Sequence, residues 1–281
     1  MISPMAQQLA DRPDVPLGEV LETSDDRYIP GRPSFEGPPT LRRDKWWLPP
    51  VITVIVLLSF VGYGTWVAFQ NGNYFADPYV SPFYSPCLAK GCQSGGPIAV
   101  GWWPFSPALL ILPFPLLFRL TCYYYRKAYY RSFWWAPPAC AVRDGHEFYT
   151  GETRFPLILQ NIHRYAFYLA LPFPVFLTWD AIQAFFFPGG LGIGVGTMIL
   201  LVNVFFLWVY TLSCHSCRHL FGGHVDQFSK ARVRYWLWKQ ISKLNLRHAQ
   251  WAWISLFTVA LTDLYVRLVA MGNVHDYHWV L

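Results

Sequence analysis

The chain alternates between long apolar runs and shorter stretches that are polar and mostly basic. Five apolar runs are each about 22–25 residues long, and a helix of that length crosses a hydrocarbon core of about 30 Å. They are Leu48–Phe69, Ile98–Cys122, His163–Phe187, Leu191–Cys214 and Ala249–Met271. This pattern predicts an all-α membrane protein, a five-transmembrane-helix bundle, with residues 46–281 as its transmembrane domain.

Prolines and glycines indicate how these segments bend and connect. The second segment contains four prolines and the third contains two, so we expect both helices to be kinked and to need neighbours that satisfy the freed carbonyls. These prolines are Pro104, Pro107, Pro113, Pro115, Pro172 and Pro174. The link at residues 188–190, Pro-Gly-Gly, is short enough to make the third and fourth helices an antiparallel hairpin.

Two polar segments outside the spans have signatures of their own. Residues 1–45 form a Pro-rich arm without an apolar run, and this composition is more typical of a solvated tail than of an ordered strap. Residues Phe228–Arg247 place apolar and cationic side chains on adjoining helical faces. That pattern predicts an interfacial helix on the cytoplasmic side of the membrane.

The distribution of charge sets the expected orientation. Only 14% of the residues are charged and 54% are hydrophobic, which disfavours a soluble enzyme. Of 22 Lys and Arg residues, 20 lie in the N-terminal arm or beside the connections between spans two and three and between spans four and five. The positive-inside rule therefore places the N-terminus in the cytoplasm and the C-terminus outside. This topology explains the net charge of +6 without a nucleic-acid partner.

Charged residues inside the spans are sparse. Asp263 and Arg267 lie four residues apart in span five, a spacing that suits either an internal ion pair or a proton-handling site. No chain of acidic residues crosses the spans and no inverted repeat is visible, so a transporter is disfavoured. The sequence also lacks the glycine-rich motifs of nucleotide-binding proteins and the serine elbow of hydrolases.

Six cysteines divide between the two sides of the predicted bundle. Cys87 and Cys92 fall in the outer loop, where we expect them to form a disulfide. The other four cysteines fall at or near the cytoplasmic face, together with four histidines at the ends of spans three, four and five. This group comprises Cys122, Cys140, Cys214, Cys217, His163, His215, His219 and His248.

The densest part of this group is the motif SCHSCRH at residues 213–219. On a continuous helix, which turns about 100° per residue, the two thiols share one face and the two imidazoles roughly the opposite one. The preferred metal-ligand set then joins the thiols to histidines of spans three and five, and the second set joins the two motif histidines to the remaining cysteines. The first set is Cys214, Cys217, His163 and His248, and the second is His215, His219, Cys122 and Cys140. A helix that ends at Ser213 would permit mixed sets instead.

Two thiolates and two imidazoles suit more than one kind of centre. A tetrahedral zinc would make the chain a membrane scaffold with a structural metal. A 2Fe-2S cluster with two thiolates on one iron and two imidazoles on the other is the Rieske arrangement. A haem b held by two histidines would leave the cysteines unexplained, and without any metal the cysteines would be small buried hydrophobes.

Four stretches resemble the membrane-anchor subunit of actinobacterial succinate dehydrogenases, from about Leu116 to Tyr265. They are TCYYYRKAYYRSFWWAPPACAV, GETRFPLILQNIHRYAFY, YTLSCHSCRHLFGG and SKLNLRHAQWAWISLFTVALTDLY. The resemblance implies a five-helix plasma-membrane anchor in respiratory complex II. It also implies a Rieske-type 2Fe-2S cluster in place of haem, a flavoprotein and an iron-sulfur subunit as partners, and a higher oligomer of the complex.

Such an anchor would pass electrons to a membrane quinone of the menaquinone or ubiquinone type, and would not itself oxidise succinate. A quinone head group needs hydrogen-bond donors in a largely apolar slot. Aromatic and basic residues after span two offer that chemistry, although for each single aromatic the interfacial belt is the favoured interpretation. The candidate quinone-binding residues are Tyr123, Tyr124, Tyr125, Arg126, Arg131, Trp134 and Trp135.

Overall fold

The computed structural model describes residues 40–88, 103, 105–145, 153–155 and 157–281. The first half of this part contains α1 (Leu48–Gln70), β1 (Phe75–Ala76), β2 (Tyr79–Val80), α2 (Pro107–Ile111), α3 (Pro113–Thr121), α4 (Tyr123–Tyr129) and a π-helical turn (Tyr130–Trp134). The second half contains a 3-10 helix (Leu157–Ile162), α5 (His163–Ala170), α6 (Pro172–Gln183), β3 (Phe186–Phe187), β4 (Gly190–Gly194), α7 (Val195–Leu212), α8 (His215–Gly222), α9 (Arg232–Asn245), α10 (His248–Ala270) and β5 (His278–Val280).

Four helical segments of the described chain are long and apolar enough to cross a membrane. They are Leu48–Gln70, Leu157–Gln183, Val195–Leu212 and His248–Ala270. This confirms the class of all-α membrane protein. The predicted second span begins outside the described residues, and its described part consists of the short helices α2 and α3. The count of five spans and the orientation of the termini stay predictions, and most of the predicted arm also lies outside the described residues.

Prolines interrupt the helices where the sequence leads us to expect kinks. Helix α2 gives way to α3 at Leu112, and α5 gives way to α6 at Leu171, in each case directly before a proline that cannot donate a backbone hydrogen bond. Two further breaks occur at Cys122, between α3 and α4, and at Ser213–Cys214, between α7 and α8. These two breaks place Cys122 and Cys214 outside regular helix.

A three-stranded sheet, β3-β4-β5, closes one end of the bundle where only helix ends and a tight link were expected. Helix α6 ends at Gln183 rather than Phe187, and α7 begins at Val195 rather than Leu191, because the residues between them pair with each other and with the C-terminal segment. Gly196 permits a close approach there, since a Cβ at this position would lie 2.6 Å from the ring of Tyr79.

Buried polar groups fasten the loops to this sheet end of the bundle. The carboxylate of Asp276 accepts hydrogen bonds from Tyr79 at 2.7 Å and Tyr265 at 2.6 Å. Within α10, the expected ion pair forms between Arg267 Nε and Asp263 at 3.0 Å, and both side chains are at most 1% exposed. Helix α10 begins at His248 at the opposite end of the bundle, which we call the cysteine end.

The basic helix predicted over residues 228–247 is α9, which is shorter at both ends than the pattern indicated. It packs against α8, and Arg234 donates to the carbonyls of Phe221 and Gly223 at the end of that helix. Trp236 and Val233 remain exposed on its outer side. The helix therefore presents an amphipathic surface at the cysteine end of the bundle.

Candidate functional site: a cysteine and histidine centre

Two thiol–imidazole contacts lie at the cysteine end of the bundle. The Nε2 atom of His163, the first residue of α5, lies 3.2 Å from Cys214 Sγ. The Nε2 atom of His248, the first residue of α10, lies 3.5 Å from Cys122 Sγ. We refer to these four residues as the Cys/His centre; it joins four segments that are distant in the sequence.

The backbone at the two cysteines is almost the same. Cys122 has φ −65° and ψ 130°, and Cys214 has φ −65° and ψ 146°, so each lies in an extended link between two helices. Because α7 ends at Leu212, the motif at residues 213–219 is not one continuous helix. The thiols and the imidazoles of the motif therefore need not lie on opposite faces, and a mixed set of ligands becomes possible.

Each imidazole of the Cys/His centre stacks on an aromatic ring. The ring of His163 stacks on Phe118 and the ring of His248 stacks on Tyr210, with centroid distances of 5.2 Å in both cases. Phe118 and Tyr210 also contact each other, at 5.3 Å. The two imidazoles are thus fixed by one aromatic cluster, and His248 is only 1% exposed.

Cys217, a member of the preferred sequence-based set, lies in the same buried core but in a different environment. Its pKa is raised to about 11 by burial alone. Among the hydrogen bonds of the described residues, none joins Cys217 to an imidazole. Of the thiols of Cys122 and Cys217, that of Cys122 is therefore the one that contacts an imidazole of the centre.

The second sequence-based set is dispersed in the structure. Cys140 is exposed, and its backbone carbonyl accepts a hydrogen bond from Arg42. His219 contacts Arg164 at the surface. His215 is exposed and stacks on Tyr124. Only Cys122 of this set belongs to the Cys/His centre.

The thiols and imidazoles of the Cys/His centre limit the kind of metal or cluster that it could bind. Among the described residues, no three His, Cys, Asp or Glu side chains converge on a point that could hold a single metal ion. A 2Fe-2S cluster makes a different demand, because each of its two irons takes two protein ligands. The two thiols and two imidazoles match the donors of the Rieske arrangement in number and type. Each observed contact joins a thiol to an imidazole, so the contacts do not themselves group the ligands by iron.

The candidate quinone-binding residues do not form one pocket. Tyr123, Trp134 and Trp135 are exposed, and Arg126 lies over the Tyr123 ring. Tyr125 is buried and its hydroxyl donates to the Ala252 carbonyl. The remaining two are Tyr124, whose ring lies 5.3 Å from that of His248, and Arg131 in the π-helical turn. Tyr124 is the member of the group that contacts the Cys/His centre.

A largely apolar cavity of about 320 Å³ lies inside the bundle, and none of the candidate quinone residues lines it. Its walls come from α1, α2, α3, α5, α6, α7 and α10 and from the segment after β2. Phe118, Arg119 and Tyr210 line the cavity, and two of them stack on the imidazoles of the Cys/His centre. The cavity therefore reaches the residues that hold the centre.

Several residues of this site were not predicted from the sequence. Phe118 and Tyr210 looked like ordinary apolar span residues, and nothing in the local sequence marks their stacking. Thr121 and Ser213 also contact the histidines, and here a signal existed, because each directly precedes a cysteine of the centre. Cys87 is disulfide-bonded, and Cys92, its expected partner, lies outside the described residues.

Comparison with known proteins bears on the identity of the chain. Residues 48–272 match the family described as actinobacterial succinate dehydrogenase subunit SdhC. The chain is also similar to a chain of the solved Mycobacterium smegmatis Sdh1 complex in the apo form. The identity is 51% over 91% of this chain and 98% of that chain, with a TM-score of 0.82. No curated protein matches the chain. The chain therefore belongs to the actinobacterial succinate dehydrogenase SdhC family and is a multi-pass membrane-anchor subunit of the bacterial plasma membrane.

Proposed function

We propose that this anchor passes electrons from an iron-sulfur subunit to a membrane quinone through a Rieske-type 2Fe-2S cluster. The observation that carries the proposal is the pair of buried thiol–imidazole contacts, His163 with Cys214 and His248 with Cys122. When bound, such a cluster takes up and releases one electron at a time. Cys122, Cys214, His163 and His248 are the proposed ligands, with Cys122 in the place that the sequence-based preference gave to Cys217.

The fit rests on chemistry that the chain itself supplies. Mixed thiolate and imidazole ligation gives a cluster a higher reduction potential than thiolates alone. The surroundings of Cys122 and Cys214 are apolar and almost water-free, since both residues are only 1% exposed. Phe118 and Tyr210 hold the imidazole planes by stacking, which limits the reorganisation of the ligands when an electron arrives or leaves.

We also propose that the cysteine end of the bundle docks the catalytic subunits. The structure of the relative is that of an Sdh1 complex. In this chain, α9 carries four cations at the cysteine end of the bundle, and exposed apolar side chains lie among them. The cations are Arg232, Arg234, Lys239 and Lys243. A flavoprotein and an iron-sulfur subunit docked on this surface would deliver electrons at the depth of the centre, and the higher oligomer stays a prediction.

Two locations are open to the quinone, of menaquinone or ubiquinone type. The seven residues proposed from the sequence remain candidates, with Tyr124 beside His248 as their point of contact with the centre. We favour the 320 Å³ cavity, because its volume falls in the range of ligand sites and its lining is apolar with few polar groups. A head group against Phe118 and Tyr210 would lie one ring away from an imidazole ligand.

Two other functions compete with this proposal. A structural zinc would make the chain a non-redox scaffold, but it needs four ligands on one ion rather than two separate pairs. A haem b between His163 and His248 needs both Nε2 atoms directed at one iron, whereas here they face different cysteines.

Spectroscopy of the purified complex tests all three. We expect a rhombic 2Fe-2S EPR signal with the low average g value of mixed His/Cys ligation, acid-labile sulfide and no haem absorption. Haem bands without this signal would establish a cytochrome b anchor. Zinc with neither signal would establish the scaffold, and either result would refute the proposal.

A further inference from the structure

A hydroxyl group holds the outer nitrogen of each histidine in the Cys/His centre. Thr121 Oγ1 lies 2.8 Å from His163 Nδ1, and Ser213 Oγ lies 2.6 Å from His248 Nδ1. Both hydroxyl residues are buried, at 4% and 0% exposure. Each directly precedes one cysteine of the centre but contacts the histidine that faces the other cysteine.

The hydrogen bonds of the two hydroxyls indicate which ring nitrogen carries the proton. Thr121 Oγ1 lies 2.8 Å from the Leu117 carbonyl, and Ser213 Oγ lies 2.9 Å from the Tyr210 carbonyl. If each hydroxyl donates to its carbonyl, it accepts from Nδ1–H, and Nε2 keeps a lone pair for the group opposite. This arrangement gives three hydrogen bonds around each histidine, from the hydroxyl to the carbonyl, from Nδ1–H to the hydroxyl and from the thiol to Nε2. The opposite tautomer makes only two, because the carbonyl loses its donor.

We propose that Thr121 and Ser213 are positioning residues for the two imidazole ligands. Building on the proposed function, they hold the Nδ1–H tautomer, so that the Nε2 lone pair of His163 and of His248 faces the cluster. They also orient each ring and make it a stronger electron donor, because a ligand that donates its other N–H to an acceptor gains basicity. The sequence repeats this device, a hydroxyl residue followed by a cysteine, in two unrelated parts of the chain.

Removing an outer partner of this kind costs roughly 10–100-fold in metal affinity. We expect Thr121→Val and Ser213→Ala each to lower cluster occupancy in the purified complex. We also expect the remaining cluster to have a raised midpoint potential, since a less basic ligand stabilises the oxidised state less. Pulsed EPR should show altered couplings to the ligand nitrogens and loss of the exchangeable Nδ1 proton in its former position.

Matched variants separate the hydroxyl from mere packing. Thr262→Val is the control, because Thr262 is 1% exposed and bonds the Thr258 carbonyl at 2.7 Å but contacts no imidazole. Thr121→Ser and Ser213→Thr retain the hydroxyl and should restore occupancy, potential and nitrogen couplings to wild-type values. These conservative variants keep the test decisive even where Thr121→Val or Ser213→Ala prevents assembly.

The outcomes distinguish this proposal from the one on which it rests. A wild-type complex without the 2Fe-2S signal would refute the proposed function. A wild-type cluster whose occupancy, potential and nitrogen couplings are unchanged by Thr121→Val and Ser213→Ala would leave the function standing and overturn the positioning roles. Equal losses in Thr121→Ser and Thr121→Val would likewise overturn the role assigned to the hydroxyl.

Discussion

The choice between Cys122 and Cys217 as a cluster ligand can be settled by one matched pair of variants. Both thiols lie in the same buried core, at 1% and 2% exposure. Truncation to alanine removes one sulfur atom at either position. We expect Cys122→Ala to abolish the 2Fe-2S signal and Cys217→Ala to retain it, because only Cys122 contacts an imidazole of the centre.

The loss of stability expected from either truncation follows from the burial of the two thiols. Burying a group about the size of a methylene is worth about 0.8 kcal/mol, and the cavity left behind adds to the loss. Each variant should therefore destabilise the anchor by about 1–2 kcal/mol, and by similar amounts. Loss of a ligand should lower the affinity for the cluster by more than the roughly 10–100-fold lost when a residue that only hydrogen-bonds a ligand is removed. A difference in cluster content between two equally stable variants consequently reports ligation.

The assay is quantitative EPR of the purified complex, normalised to flavin, with thermal unfolding in detergent as the measure of stability. Quinone reduction and succinate oxidation by an artificial acceptor are followed in parallel. Cys122→Ala should lose the first activity and keep the second. If Cys217→Ala lost the signal while Cys122→Ala kept it, the geometric argument would be wrong and the ligand set chosen from the sequence would be right.

Three other predictions follow from the fold and the cavity. Gly64→Leu places a side chain in the cavity and should slow quinone reduction while succinate oxidation persists. Gly62→Leu, on the exposed side of α1, should leave quinone reduction unchanged. Equal rates of quinone reduction in the two variants would exclude the cavity as the quinone site. Asp263→Asn should destabilise the anchor by about 3–5 kcal/mol in detergent unfolding, because it leaves a buried guanidinium without its counter-charge. Asp44→Asn, at an exposed ion pair, should leave the unfolding temperature unchanged, and a comparable loss there would contradict the argument from burial. Cys140, exposed at the cysteine end, should react with a membrane-impermeant maleimide in inside-out vesicles but not in intact cells, and the reverse result would invert the predicted orientation.

Helices were the most predictable part of the fold. Helix α1 follows the predicted segment to within one residue at its end, since a long apolar run has no other way to satisfy its backbone in lipid. The region around residues 184–194 could not be predicted from its own sequence. Its glycines suggest a turn, but the strand β4 exists because the distant segment β5 supplies its hydrogen-bond partners.

The candidate site was likewise only partly predictable from the sequence. The sequence predicted a group of four cysteines and four histidines at one face of the bundle, and span ends and motif spacing made His163, His248 and Cys214 candidate ligands. It ranked Cys217 above Cys122 on the assumption of a continuous helix. That assumption concerned a single backbone angle at Cys214, and the extended ψ of 146° there turns the helix axis and changes which side chains meet.

The sequence by itself determined that this chain is an α-helical membrane anchor, which end of it carries the thiols and imidazoles, and to which family it belongs. Apolar run length, cation placement and local motifs are properties of contiguous residues, and the membrane translates them directly into helices. Only the tertiary structure decided the pairing of His163 with Cys214 and of His248 with Cys122, and the crossed supports from Thr121 and Ser213. Those contacts join four separate segments of the chain, and helix breaks and packing angles place these segments together.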